Sequence, residues 1–153
     1  MTDISLTQSH LSIGDFKFKF DSGKDVKTNK SSPHNFILMK NKKLVDLYID
    51  TFKDNKIDNI FELGIRRGGS VAFYNLAFRP SRHTAIDLSI DIVSALKDVI
   101  ELAKAEKRSL STHYGVDQAN RSRVLSICEK VFDYGDGNMQ PLDFVVDDAS
   151  HRQ

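Results

Sequence analysis

The segment that decides the fold is residues 59–70, which read Asn59-Ile-Phe-Glu-Leu-Gly64-Ile-Arg-Arg-Gly68-Gly69-Ser70. Its apolar start is too short for a helix and is typical of a buried strand. Glycines permit positive φ and allow a ligand to approach the backbone closely. Ser70 is a suitable cap for a helix over 71–78, whose free N–H groups favour polar or anionic ligands. The segment therefore predicts a strand, a glycine turn and a helix that bind a nucleotide-type cofactor.

Two familiar glycine motifs do not fit this spacing. A dinucleotide fingerprint requires G-x-G-x-x-G, and a phosphate-binding loop requires Gly-Lys-Ser/Thr after four intervening residues. Here three residues separate Gly64 from Gly68, and no lysine follows Gly69. Glu62 lies just before the turn, and an acid there suggests a ligand with a hydroxyl group or a cation rather than a pyrophosphate.

Length and charge exclude several classes of partner. The 153 residues suffice for one domain with a sizeable core, and 22 basic and 21 acidic residues give a net charge of +1. This balance gives no electrostatic reason to expect a nucleic acid or a membrane as partner. No window is apolar enough to span a membrane, the N-terminus lacks the pattern of a signal peptide, and the single Cys128 cannot form an internal disulfide. We therefore expect a cytoplasmic protein.

The chain is predicted to comprise an extension and a domain. Residues 1–35 are polar and are predicted to be an irregular, partly flexible extension with one short alternating strand, Phe16–Phe20. Residues 36–153 are predicted to form the domain, and a helix over about 35–54 precedes the first buried strand.

Strands and helices are predicted to alternate after the glycine turn, which indicates an α/β fold. The strands cover 83–87, 112–116 and 142–146, and the helices cover 89–107 and 119–131. Cys128 is predicted to be a buried apolar residue. The core face of the helix over 89–107 is predicted to consist of Ile92, Leu96, Val99, Ile100 and Ala103.

Acidic residues follow the later strands. Asp87 ends the second strand, about 20 residues past the glycines, where an acid is placed for ribose hydroxyl groups. Asp117 follows the third strand, and a simple cap for the next helix explains it equally well. Ligands of open α/β sheets bind beyond the carboxyl ends of the strands, so these acids are predicted to lie at the ligand-binding edge.

The segment after the fourth strand carries the most chemistry. Asp147 and Asp148 are followed by His151. Carboxylates at a strand end can bind a hard divalent cation, and a nearby imidazole can accept a proton from a hydroxyl group at neutral pH. The alternative is that one aspartate caps a helix and the histidine is a surface residue.

Two motifs carry a resemblance to a known family. Phe61-Glu-Leu-Gly64-x-x-x-Gly68-Gly69-Ser70 resembles the first motif of class I S-adenosylmethionine-dependent methyltransferases. Residues 147–151, Asp-Asp-Ala-Ser-His, are similar to the Asp-Asp-Gly-Ser-His motif of metal-dependent macrocin- and mycinamicin-type sugar O-methyltransferases, with Ala149 replacing glycine. Cephalosporin-hydroxylase-like proteins share the Gly-Gly-Ser turn, so they remain an alternative.

The resemblance implies a Rossmann-like parallel sheet with flanking helices and strand order 3-2-1-4, the first half of a seven-stranded sheet. It implies Asp148 as a ligand of Mg²⁺ or a similar cation, and His151 as the general base on a hydroxyl of a small-molecule or sugar acceptor. The residues that it assigns to S-adenosylmethionine are Glu62, Gly64, Gly68, Ser70, Asp87, Asp117 and Asp147.

The chain ends soon after the fourth strand, so we expect a truncated form that is inactive by itself. Its apolar edge strand would make it poorly soluble or cause it to assemble as a homo-oligomer. Two other interpretations stay open. A nicotinamide-dependent oxidoreductase fragment would share the strand–turn–helix unit and Asp87. A non-catalytic or degenerate Rossmann-fold binding module would explain the missing half of the domain.

Overall fold

Two four-stranded sheets form the framework of the protein. The computed structural model describes residues 3–21, 30–133, 135 and 137–149. Sheet A contains β1 (Ile4–Leu6), β2 (His10–Ile13), β3 (Phe16–Phe20) and β4 (Asn35–Leu38), in that order. Neighbouring strands are antiparallel except β3 and β4, which are parallel.

Sheet A corrects the prediction for the N-terminal segment. The strand Phe16–Phe20 is confirmed, but the expectation of irregular structure before it is wrong, because β1 and β2 precede it. Leu11 and Ile13 are buried on alternate positions of β2, as Phe16 and Phe18 are on β3. These side chains belong to the same core cluster as helix α2 (Gly69–Phe78), so sheet A packs on the rest of the chain.

The predicted helix over 35–54 is wrong in its first part. Residues 35–38 form β4, and helix α1 (Lys42–Phe52) begins only after Asn41. The Asn41 side chain accepts a hydrogen bond of 2.9 Å from the Leu44 N–H group, which is the usual N-cap interaction. Phe36 and Leu38 are both buried while their neighbours are less so, and this alternation is that of a strand.

Sheet B is the parallel sheet of an α/β fold, and it is compatible with a Rossmann-like architecture. It consists of β5 (Asn59–Leu63), β6 (Arg82–Asp87), β7 (Ser109–Tyr114) and β8 (Phe144–Asp147). Their spatial order is β7-β6-β5-β8, and all neighbouring pairs are parallel. Helix α2 connects β5 to β6, α3 (Lys97–Ala105) connects β6 to β7, and α4 (Arg121–Phe132) connects β7 to β8.

Helices cover both faces of sheet B. Ile60 and Ala85 lie on the face that packs with α1, α2 and α3, whereas Phe61 and Ile86 lie on the face that packs with α4. Cys128 of α4 is buried in that second cluster, as predicted, and burial raises the pKa of its thiol. Among the described residues, no helix is long and apolar enough to cross a membrane.

The helix after β6 begins later than predicted. It starts at Lys97, after a 3₁₀ turn over Ser94–Leu96, and Ile92 is 76% exposed rather than part of the core. The preceding residues are held by side-chain hydrogen bonds to the backbone: Asp87 accepts from the Ser89 N–H group and Tyr114 from the Val93 N–H group. Such bonds offer the backbone an alternative to helical bonding, so the apolar periodicity does not become a helix here.

Gly69 lets β4 lie directly against the start of α2. A Cβ atom at Gly69 would lie 2.0 Å from the Ile37 carbonyl oxygen. We expect Gly69→Ala to lower the free energy of unfolding by about 3 kcal/mol, because the backbone of β4 would have to move. Urea denaturation measures this loss.

Gly14→Ala is the matched control. Nothing lies within 4 Å of a Cβ atom at Gly14, so this change adds only the strain of a left-handed residue, about 1 kcal/mol. Equal destabilisation of the two variants would show that β4 does not constrain residue 69.

Candidate functional site

The order of the strands in sheet B reverses beside β5. Strands β6 and β7 add to one side of β5, whereas β8 adds to the other. In the strand register, Leu63 pairs with Ile86 on one side and Asp147 on the other. Open α/β sheets bind ligands beyond the carboxyl ends of the strands at such a switch point. The candidate site is therefore the crevice between the glycine turn, residues 64–68, and residues 147–149.

The chain itself approaches the glycines of the turn. Gly64 and Gly68 have φ of 97° and 76°, which favours glycine at both positions. A Cβ atom at Gly64 would lie 2.9 Å from the Ala149 backbone nitrogen, and one at Gly68 would lie 3.0 Å from side-chain atoms of Val93 and Leu96. The close approach that the sequence predicts for a ligand is therefore made, in this structure, by residues that follow β8 and β6.

Ser70 and Glu62 have a different role from the one predicted. Helix α2 has Gly68 at its N-cap and no side-chain cap, so the prediction that Ser70 caps it is wrong. The Ser70 hydroxyl instead donates a hydrogen bond to Glu62. Glu62 is fully buried, and its other carboxylate oxygen lies 3.2 Å from Nε2 of His83, which is also fully buried. Glu62 thus holds Ser70 at the start of α2 through a hydrogen bond, and it presents no exposed atom to a ligand.

Asp87 fastens the glycine turn to the end of β6. Its Oδ2 accepts hydrogen bonds from the Ile65 and Arg66 N–H groups, at 2.7 and 2.8 Å, and its Oδ1 accepts one of 2.8 Å from Ser89. A carboxylate has about four acceptor positions, so about one remains for a ribose hydroxyl group. Asp87 is therefore both a structural residue and a candidate ligand-binding residue.

Asp117 and Asp147 are exposed at the same edge of the sheet. Asp117 accepts a 2.8 Å hydrogen bond from the Ala119 N–H group, but it is not the cap of α4, so the alternative interpretation as a helix cap is wrong. Asn120 occupies that position and accepts from the Arg123 N–H group. Asp147 accepts a 3.3 Å bond from the Ala149 N–H group. Both acids are accessible from the carboxyl edge.

Lys40 is a residue of the candidate site that the sequence patterns do not identify. Its Nζ lies 2.5 Å from Oδ2 of Asp148, the predicted metal ligand. The Lys40 side chain is only 5% exposed, and its ammonium lies 5.9 and 5.8 Å from the ring centroids of Tyr48 and Tyr74. The sequence signal was a lysine directly after the apolar run Phe36-Ile-Leu-Met39.

The aromatic residues around Lys40 supply no negative charge. Burial raises the pKa of Tyr74 far above its ordinary value, so its phenol stays protonated. Aromatic faces attract the ammonium weakly, whereas a buried ammonium needs an anion to offset its lost hydration. Asp148 is the anion that the structure places in contact with it.

Two cavities adjoin Lys40. The first, of about 60 Å³, lies at the switch point and is lined by the glycine turn, Ser70, Asp148, Lys40 and residues 37 and 39. The second is an open groove of about 510 Å³ between the end of sheet A and the start of α1. Sites for cofactors typically measure about 300–1,000 Å³. The first cavity therefore accepts only a small group, such as a carboxylate.

An apolar surface borders the carboxyl edge. Leu88, Ile90 and Ile92 are 71%, 80% and 76% exposed. A Cβ atom at Gly115, which follows β7, would lie 3.3 Å from the Ile90 side chain. The apolar segment 88–92 thus lies between the ends of β6 and β7, next to Asp87 and Asp117.

The described residues do not fit the predicted Mg²⁺ site. Within the described ranges, no three His, Cys, Asp or Glu side chains are grouped to hold a metal ion. The carboxylate of Asp148 is paired with an ammonium, which occupies a position that a cation would need. The predicted general base, His151, lies outside the described residues.

Comparison with known proteins adds no relative. No family model matches the chain. No curated protein and no solved structure matches it either.

Removing Asp148 should destabilise the fold more than removing Lys40 does. Asp148→Asn leaves a buried ammonium without a counter-charge, so we expect the free energy of unfolding to fall by about 3 kcal/mol. Lys40→Met leaves Asp148, whose side chain is 34% exposed, in contact with water, so we expect a loss of about 1 kcal/mol or less. Urea denaturation of both variants and of the double variant measures these terms.

Lys42→Met is the matched control for this measurement. Lys42 and Asp46 form an ion pair of the same length, 2.5 Å, but the Lys42 side chain is 32% exposed, whereas that of Lys40 is 5% exposed. We expect a change within about 0.5 kcal/mol. If Asp148→Asn proved as mild as this control, Lys40 would not depend on Asp148.

Proposed function

We propose that the chain binds S-adenosylmethionine at the carboxyl edge of sheet B and belongs to a methyltransferase that acts on a hydroxyl group of a small molecule or sugar. The observation that carries this proposal is the glycine turn at the switch point, fastened by an acid at the end of β6. A turn of this kind with a neighbouring acid suits an adenosine ligand.

The order of the strands supports the same proposal. Counted from β5, the parallel strands lie in the order third, second, first, fourth. This is the succession 3-2-1-4 that the resemblance to the first half of a class I methyltransferase implies. The motif around Gly64 lies on the first of these strands, beside the switch point.

Different parts of the ligand suit different parts of the edge. The small cavity between Lys40, Ser70 and the glycine turn has room for the carboxylate of the amino-acid end. The apolar surface of Leu88, Ile90 and Ile92 suits the flat face of adenine, and Asp117 is exposed beside it. The remaining acceptor position of Asp87 suits a ribose hydroxyl group.

S-adenosylmethionine supplies an electrophilic methyl group when it is bound. The chain's residues would hold it in place and orient it towards the acceptor, which is the main contribution of positioning to a transfer reaction. His151 is proposed, from the sequence motif alone, to accept the proton of the acceptor hydroxyl. No step is assigned to a metal ion, because the described residues do not fit one.

A non-catalytic binding module is the second candidate function. Two observations favour it: the cavity at the switch point measures only about 60 Å³, and Lys40 is paired with Asp148, the predicted metal ligand. Such a module would bind the adenosine part of a ligand at the open edge without transferring a methyl group.

Isothermal titration calorimetry with S-adenosylhomocysteine and with NAD tests the ligand class. We expect heat of binding with S-adenosylhomocysteine and none with NAD, because the turn lacks the spacing of a dinucleotide fingerprint. Binding of NAD alone would instead support the oxidoreductase interpretation. Absence of both would contradict any adenosine site at this edge.

Ile90→Asp should weaken that binding without unfolding the protein. Ile90 is 80% exposed, so its apolar surface contributes little to the folded state alone. Burial of roughly 50 Å² of this surface by adenine is worth about 1.3 kcal/mol, so we expect the Kd for S-adenosylhomocysteine to rise about tenfold. Leu47→Asp on α1 is the matched control, since Leu47 is exposed but lies away from the edge. Equal effects of the two variants would place the ligand elsewhere.

A further inference from the structure

The cation beside Asp148 is provided by the chain itself. Lys40 approaches the Asp148 carboxylate to 2.5 Å, and this is the carboxylate that the sequence motif predicts as a ligand of a divalent ion. A divalent cation takes oxygen ligands and requires several of them at once. At Asp148 the structure offers instead one carboxylate and one ammonium.

Lys40 is held in this position from two directions. It follows β4, which is paired with β3 and lies against the start of α2 through the contact between Ile37 and Gly69. Its ammonium is close to the rings of Tyr48 and Tyr74, and its side chain is almost fully buried. Because the Lys40 side chain is only 5% exposed, its ammonium depends on Asp148 as a counter-charge, and we expect the pair to persist in the folded state.

A divalent ion and the ammonium exclude one another at this carboxylate. Both would lie within bonding distance of the same carboxylate, so the two cations would be close enough to repel one another strongly. We propose that Lys40 is the built-in cation of the site and prevents Asp148 from binding a divalent metal. A neutral residue at position 40 would remove this exclusion and let Asp148 contribute one ligand to a weakly bound divalent ion, since the described residues offer no group of three ligating side chains.

The consequence for chemistry rests on the proposed function. If the chain belongs to a methyltransferase, the positive charge beside the crevice comes from Lys40 together with Arg66 and Arg67 of the turn, and binding of S-adenosylhomocysteine does not require an added metal. The inference about Lys40 itself concerns cation binding and stands without a cofactor. The two can therefore be tested apart.

Binding of Mn²⁺, followed by electron paramagnetic resonance of the free ion, tests the inference on the full chain at neutral pH. We expect no Asp148-dependent binding in the wild type. Lys40→Met and Lys40→Gln should each bind Mn²⁺ at least about tenfold more tightly, because the repelling charge is gone. Adding Asp148→Asn to either variant should abolish the gain.

Lys40→Arg is the matched control, because it keeps the charge and should not gain affinity. Circular dichroism melting shows that each variant is folded before its titration is interpreted. Two neutral variants are used so that the test remains possible if one of them fails to fold. Asp148-dependent binding of Mn²⁺ to the wild type would overturn the inference. Neutral variants that bind no better than Lys40→Arg would also overturn it.

Failure of the inference is distinguishable from failure of the proposed function. Calorimetry with S-adenosylhomocysteine reports the cofactor site and needs no metal, whereas the Mn²⁺ titration needs no cofactor. If Mn²⁺ binds to the variants as expected but S-adenosylhomocysteine gives no heat, the role of Lys40 is supported and the proposed methyltransferase function is contradicted. If S-adenosylhomocysteine binds but the neutral variants gain no affinity for Mn²⁺, the cofactor site is supported and the role of Lys40 is contradicted.

Discussion

The close contact between the glycine turn and the backbones around it is the constraint on which the structure depends. On one side, Ile37 of β4 lies against Gly69, and on the other, residues 148 and 149 lie against Gly64. Neither approach leaves space for a Cβ atom. Because β4 belongs to sheet A and residue 148 follows sheet B, this turn is where the two sheets are joined. The crevice at the switch point is closed by the same contacts.

The N-terminal sheet consequently forms part of the candidate site, because β4 and the residues after it line the cavity at the switch point. Strand β4 positions Lys40 against the carboxylate of Asp148, which lies 108 residues later in the sequence. Residues 37, 39 and 40 also line the small cavity beside the turn. A ligand larger than this cavity would have to extend into the groove beside α1 or onto the open edge formed by Asp87, residues 88–92 and Asp117. The structure thus places a small cavity that contains the Lys40–Asp148 pair and an exposed apolar surface at the same end of the sheet.

The four strands of sheet B could be predicted in number and order because each ends close to a glycine or an acid. Strand β7, Ser109–Tyr114, begins three residues before the predicted 112–116, since its sequence Ser-Leu-Ser-Thr-His-Tyr has too few apolar residues to mark its start. The same local pattern identified Asp87 and Asp117, although not the hydrogen bonds that Asp87 makes to the turn. Lys40 could not be predicted in this way, since its partner is 108 residues away in sequence. The sequence predicts the four residues of β4 as part of a helix, because two alternating apolar positions, Phe36 and Leu38, are too few to indicate a strand. Ile92 was misplaced because hydrogen bonds from Asp87 and Tyr114, and not apolar periodicity, decide the backbone there.

The two faces of sheet B are covered very unequally. One face carries α1, α2, α3 and sheet A, whereas the other is covered by α4 with a small cluster of apolar side chains. Regions with fewer buried apolar contacts open first in native proteins, so the α4 layer is the natural place for local opening. The only cysteine of the chain, Cys128, lies buried in this layer. The rate at which Cys128 is alkylated would therefore report how often the α4 layer opens while the larger core stays folded.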